Sequence, residues 1–112
     1  ATFGSIMAGP GPTAKHTIVL LQETASKSTR TFSDFESVAD AMNGICQLYE
    51  QRLKQMNPGV RNITYDITEL YGFIDQLGDL CCLVHNGYGA YEPHNKQWVK
   101  DRVFAHLKRM AQ

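Results

Sequence analysis

The sequence predicts a two-layer α+β fold, a four-stranded antiparallel sheet with three helices on one face in the order ββααββα. Three observations predict it. Two solid apolar runs, Thr17 to Leu21 and Leu80 to Val84, have strand length; three longer stretches repeat apolar residues every three or four positions; and turn residues join the short segments in pairs. At 112 residues the chain is the length of one domain, and such a domain hides about two-thirds of the surface its unfolded chain exposes. One core is therefore expected, within residues 15–112. Residues 1–14, which include Gly4, Gly9, Pro10, Gly11 and Pro12, read as a flexible N-terminal segment, with the part before Met7 a remnant of recombinant expression.

Strand one is Thr17 to Leu21, rich in β-branched and apolar residues between His16 and Gln22. Polar Glu23 to Ser28 turns the chain, and Thr29 to Phe32 returns as a short second strand. Ser33 followed by Glu36 has capping-box spacing and starts a long helix. Its inward stripe runs through Phe35, Val38, Ala39, Met42, Ile45, Cys46, Tyr49, Leu53 and Met56, until Asn57-Pro58-Gly59 ends it. Asp66 with Glu69 caps a second helix, buried along Ile67, Leu70, Tyr71, Ile74 and Leu77 and stopped at Gly78. Leu80 to Val84 is the third strand. Asn86-Gly87 and Gly89 turn it into a fourth around Ala90 to Glu92. Asn95 caps the last helix, with Val99, Val103, Leu107 and Met110 inward, Trp98 nearby, and Lys108 and Arg109 suited to its C-terminal end.

Strand one carries a functional consequence. A two-layer domain covers one sheet face, yet Ile18 and Leu20 alternate with the equally apolar Val19 and Leu21. No sequence remains for a third layer, so a second copy of the same sheet, related by a twofold axis, is the expected cover.

Charge and composition narrow the classes of function. Eleven basic side chains balance eleven acidic ones, so no global field draws the chain to nucleic acid or an anionic membrane. No stretch approaches a membrane span of about 20 apolar residues, and Ala1 to Pro12 lacks the charged and apolar regions of a signal peptide; an intracellular setting is expected. The odd set Cys46, Cys81 and Cys82 reads as small buried hydrophobes in a reducing compartment rather than a disulfide framework. His16, His85, His94 and His106 lack a second ligand pair at metal spacing, and no full phosphate-loop or dinucleotide fingerprint accompanies Gly87 and Gly89. No catalytic residue, cofactor or metal is expected. Asp75 and Asp79 read as a solvated helix face.

Two other classes remain in play. Lys96, Lys100, Arg102, Lys108 and Arg109 bias the last helix to the basic side, and with Tyr88 and Tyr91 raise an RNA-binding module; Cys-Cys-Leu-Val in place of a basic-aromatic central strand argues against it. Cys81 or Cys82 beside a histidine raises a cysteine-dependent enzyme, for which an activating pocket would be required. Thr31 with Asp34, and Ser37 with Asp40, set an acid three residues after a hydroxyl, a pattern that suits an acid-directed kinase or a local helix-start contact.

An ordered set of strings is more specific than any of these features. It comprises His16-Thr17-Ile18, Arg30-Thr31-Phe32 with Asp34-Phe35-Glu36-Ser37-Val38, Met56-Asn57-Pro58, and Asn62-Ile63-Thr64-Tyr65-Asp66-Ile67. Phe73-Ile74-Asp75, Asp79-Leu80, Leu83-Val84, Tyr91 with Pro93, and Asn95-Lys96 with Trp98 follow in order. Over about Lys15 to Gln112 this set resembles the enhancer of rudimentary family. The resemblance implies a small non-enzymatic protein, nuclear and also cytoplasmic, that dimerises through its open sheet face. It implies an adaptor for segments of RNA-processing and gene-regulatory proteins, with a cell-cycle role and no direct contact with nucleic acid or membrane. By position, Ile18 and Leu20 resemble the family's outward dimer contacts, Leu83 and Tyr91 neighbouring ones, and Thr31 and Ser37 its kinase sites. Two departures touch partner contact: the second hairpin, His85 to Ala90, is one residue shorter, and His94 stands where tyrosine is common.

Overall fold

The computed structural model describes residues 15–110; the expectations for residues 1–14 lie outside the described residues. The elements run β1 (Thr17–Gln22), a 3-10 turn (Lys27–Thr29), β2 (Arg30–Phe35), α1 (Val38–Met56), α2 (Ile67–Gln76), β3 (Asp79–His85), β4 (Tyr91–His94) and α3 (Lys96–Met110). Leaving the 3-10 turn aside, this is the expected ββααββα order. The strands form one antiparallel sheet in the spatial order β2-β1-β3-β4, so the two apolar runs are central and the polar strands lie at the edges.

Alternation along the central strands divides the sheet into two faces. Thr17, Val19 and Leu21 of β1, with Leu80, Cys82 and Val84 of β3, are buried beneath the helices. They share one core with Met42, Ile45 and Tyr49 of α1, Leu70, Phe73 and Ile74 of α2, and Val99 and Val103 of α3. Tyr49 is held between aromatic neighbours, its ring 5.0 Å from Phe73 and 5.1 Å from Tyr65. All three helices join this one core, and the opposite face of the sheet has no covering element among the described residues.

Several boundaries differ from the sequence expectation. Two successive capping boxes occur, and the second one acts: Ser37 Oγ accepts from the Asp40 N–H at 3.0 Å, while Ser33 is a strand residue paired with Val19. Pairing with β1 extends β2 to Phe35, which removes that ring from the helix stripe and seats it on Gly44. A Cβ at Gly44 would lie 2.7 Å from the Phe35 ring. Met56 and Met110 are exposed rather than inward. Tyr71 is half-buried, its hydroxyl donating to the Lys100 carbonyl. The fourth strand includes Pro93, which an edge position tolerates because one side of its backbone has no strand to bond. Gly87 and Gly89, both at positive φ, make the turn before it, and Asn86 Oδ1 accepts from the Tyr88 and Ala90 amides.

Candidate interaction surface

The uncovered face is assembled from outward positions in register. Leu20 lies between Phe32 of β2 and Cys81 of β3; one row on, Ile18 lies between Asp34 and Leu83, and Leu83 is opposite Pro93. Ile18, Leu20, Cys81 and Leu83 are half-exposed, and Phe32 is 65% exposed. The result is an apolar patch across all four strands.

A polar chain orders one end of this face. The Tyr91 hydroxyl lies 2.7 Å from His16 Nδ1, and His16 Nε2 lies 3.1 Å from Asp34 Oδ2. A neutral imidazole with its proton on Nε2 satisfies both neighbours, accepting from the tyrosine and donating to the carboxylate. The Tyr91 ring meets His85 edge-on at 5.1 Å, so the aromatic side chain is held against the sheet. The opposite end carries Arg30, which donates twice to Gln22 Oε1.

All four residues expected at the sheet contact, Ile18, Leu20, Leu83 and Tyr91, therefore share this face. Phe32 and Pro93 belong to it as well. The apolar character of Phe32 was visible, but only cross-strand register shows that it stands beside Leu20. The two hydroxyl candidates lie elsewhere. Thr31 points to the helix side of edge strand β2 and donates to the Leu21 carbonyl, whereas alternation sends Asp34 to the other face, so the local Thr31–Asp34 contact does not form. Ser37 caps α1.

A second feature lies where β2 overhangs α1: an apolar groove of about 290 Å³ between Val19, Leu21 and Phe35 on one side and Ile45 and Leu48 on the other. Thr31 and Ser33 form its rim.

The cysteines and basic residues have structural roles to weigh. Burial pushes the Cys46 thiol up to about 11 and the Cys82 thiol up to about 12, so neither supplies a thiolate at neutral pH. Cys81 is half-exposed on the open face. Lys96 donates to the Leu77 carbonyl at 2.7 Å and Lys100 pairs with Asp75, which removes two of the five cations from a nucleic-acid patch on α3. Among the described residues, no group of three or more His, Cys, Asp or Glu side chains is placed to hold a metal, and no helix is long and apolar enough to cross a membrane.

Fold and surface together define a class: a small two-layer α+β domain with one helix-covered sheet face and one open apolar face. The chain belongs to the enhancer of rudimentary family, whose sequence profile matches residues 13–112. It is 57% identical over 98 residues to the enhancer of rudimentary homolog of Dictyostelium discoideum, covering 87% of this chain and 98% of that one. It is 54% identical over 99 residues to the homolog of Arabidopsis thaliana, covering 88% and 91%. The homolog of Caenorhabditis elegans is 47% identical over 90 residues, covering 80% and 87%. None of these names states an enzymatic activity.

Proposed function

We propose that the protein is a non-enzymatic homodimeric adaptor, joined to a second copy through the open sheet face and binding short segments of RNA-processing and gene-regulatory proteins in the nucleus. The open apolar face carries this reading. Leaving Ile18, Leu20, Phe32 and Leu83 in water forgoes hydrophobic stabilisation, and the complement that suits a broad sheet face is another sheet face about 10 Å away. A net charge of zero sets no long-range repulsion between copies.

Partner segments belong in the groove between β2 and α1. An edge strand presents unpaired backbone groups, and an apolar channel beside it suits an extended or helical peptide with apolar anchors. A phosphoryl group at Thr31 would stand on the rim of that groove and oppose an acidic or apolar partner. At Ser37 it would displace the cap of α1, since that oxygen accepts the Asp40 amide.

Two sets of variants separate self-association from partner binding. Ile18→Arg with Leu20→Arg should bury unpaired charge at the twofold contact and yield folded monomers by light scattering. An unchanged dimer in that variant, or a monomeric parent protein, would overturn the assignment of this face. Leu48→Arg, placed in the groove, should preserve the dimer and abolish binding of partner peptides identified by purification from native cells. Retained peptide binding would exclude the groove.

A further inference from the structure

On the helix side of the sheet, a cavity of about 660 Å³ opens where the start of α1, the end of β3, β4 and α3 converge. Its volume is typical of small-ligand sites. Glu92 and His94 project into it from the inner side of edge strand β4, and one stripe of α3 supplies the facing wall with Trp98, Arg102 and Arg109. Lys15 stands at the mouth, and Met42 and Val84 add apolar floor.

The charge in this cavity is unlike that of the whole chain. Lys15, Arg102 and Arg109 face one carboxylate, Glu92, leaving a surplus of two positive charges with the histidines neutral. Among the described residues none of the three cations is ion-paired, whereas Arg52 and Lys100 are. Arg102 is also pre-positioned. Its guanidinium lies 5.2 Å from the Trp98 ring centre, and Trp98 stacks on His94 at 4.1 Å with the planes 15° apart. An arginine held against an indole keeps its N–H edges for an oxyanion and loses less freedom on binding one.

We propose that this cavity binds a small phosphate monoester with a compact aromatic or apolar body, the class to which nucleoside monophosphates belong. The phosphate dianion matches the surplus charge and takes its hydrogen bonds from Arg102, Arg109 and Lys15. The first turn of α1, around Val38 and Ala39, adds the positive end of its dipole from the opposite wall. The organic body rests on the floor of Met42 and Val84, with Glu92 placed to accept from an N–H donor such as an exocyclic amine.

Trp98 is the only tryptophan, so the cavity reports on itself. Titration of the full chain with guanosine monophosphate, read by emission excited at the red edge and by the indole N–H resonance, should saturate with a Kd of about 1 mM or tighter. Affinity should fall as salt rises. Lys15→Gln and Arg109→Gln alter exposed side chains and should leave the circular dichroism spectrum unchanged; each should weaken binding about tenfold, the scale of one lost charge-assisted hydrogen bond. Guanosine without phosphate should bind at least as weakly as those variants bind the nucleotide. No response of Trp98 up to about 10 mM, or a response unaffected by both substitutions, overturns the site. Equal binding of inorganic phosphate overturns the organic body, and much tighter binding of a short single-stranded RNA overturns the small ligand in favour of a strand.

Discussion

At Gly78 a missing methyl group lets the approach to β3 pass the loop that follows β1. A Cβ there would stand 2.0 Å from the Thr24 carbonyl oxygen, a backbone atom that cannot swing aside. Gly78→Ala should therefore lower the stability by about 1–3 kcal/mol, the usual cost of forced overpacking, seen as a lower urea midpoint at unchanged m. A midpoint equal to that of the parent protein would mean that the loop relaxes freely. The sequence places this glycine just after a helix as its stop, and α2 does end there, at Gln76 with Leu77 as its cap. The requirement at Gly78 comes from a loop more than fifty residues away in sequence, which no local pattern contains. The thiols make a second residue-level expectation. With burial raising both, Cys46 and Cys82 should resist iodoacetamide at pH 8 in the native protein and react once it is unfolded; rapid native labelling of either would contradict its burial.

The helices show how far local chemistry sets an element and where pairing overrides it. Ser33 and Ser37 both stand three residues before an acid, and only tertiary pairing tells them apart, because the ladder with β1 takes Ser33. Ser37→Ala should cost about 1 kcal/mol, and Ser33→Ala distinctly less; equal losses would place the helix start elsewhere. The cap of α2 was legible. Asp66 accepts from the Thr68 hydroxyl and the Glu69 amide, and these bonds hold its carboxyl below the ordinary value. A carboxyl depressed in the folded state stabilises at pH above its unfolded value, and that contribution is lost as pH falls through the lower folded value. Asp66→Asn keeps a good cap but cannot titrate, so acid unfolding of the variant should show a shallower pH dependence below about pH 4. Identical acid limbs would show that the cap does not couple to folding.

For the whole molecule, the central prediction joins Cys81 to self-association. Its thiol lies on the open face beside Leu20, so under the proposed dimer it is covered by the second copy. Alkylation of Cys81 should slow as protein concentration rises through the dimer constant, and Ile18→Arg with Leu20→Arg should abolish that protection. Labelling independent of concentration would argue against this face as the contact. Ile18, Leu20, Leu83 and Tyr91 could be placed on one face from alternation and family resemblance, and the structure brings them together. Phe32, Pro93 and the Tyr91–His16–Asp34 chain required the register, since these residues meet only when β2-β1-β3-β4 is the order across the sheet. The cavity beside Trp98 is a still larger departure from the local reading. Five basic residues on the last helix looked like one solvated stretch, but helical rotation and the edge of the sheet engage Lys96 and Lys100 elsewhere and direct Arg102 and Arg109 to the cavity.

The sequence by itself determined the class of fold, the order of its elements, the apolar surplus of strand one and the family, because periodicity, caps and ordered short strings are local properties of the chain. Tertiary structure alone decided which of two capping boxes begins α1, which residues complete the open face, and which cations converge on one cavity. Those outcomes depend on contacts between segments far apart in sequence, and a contact of that kind is set by packing geometry that neither segment carries alone.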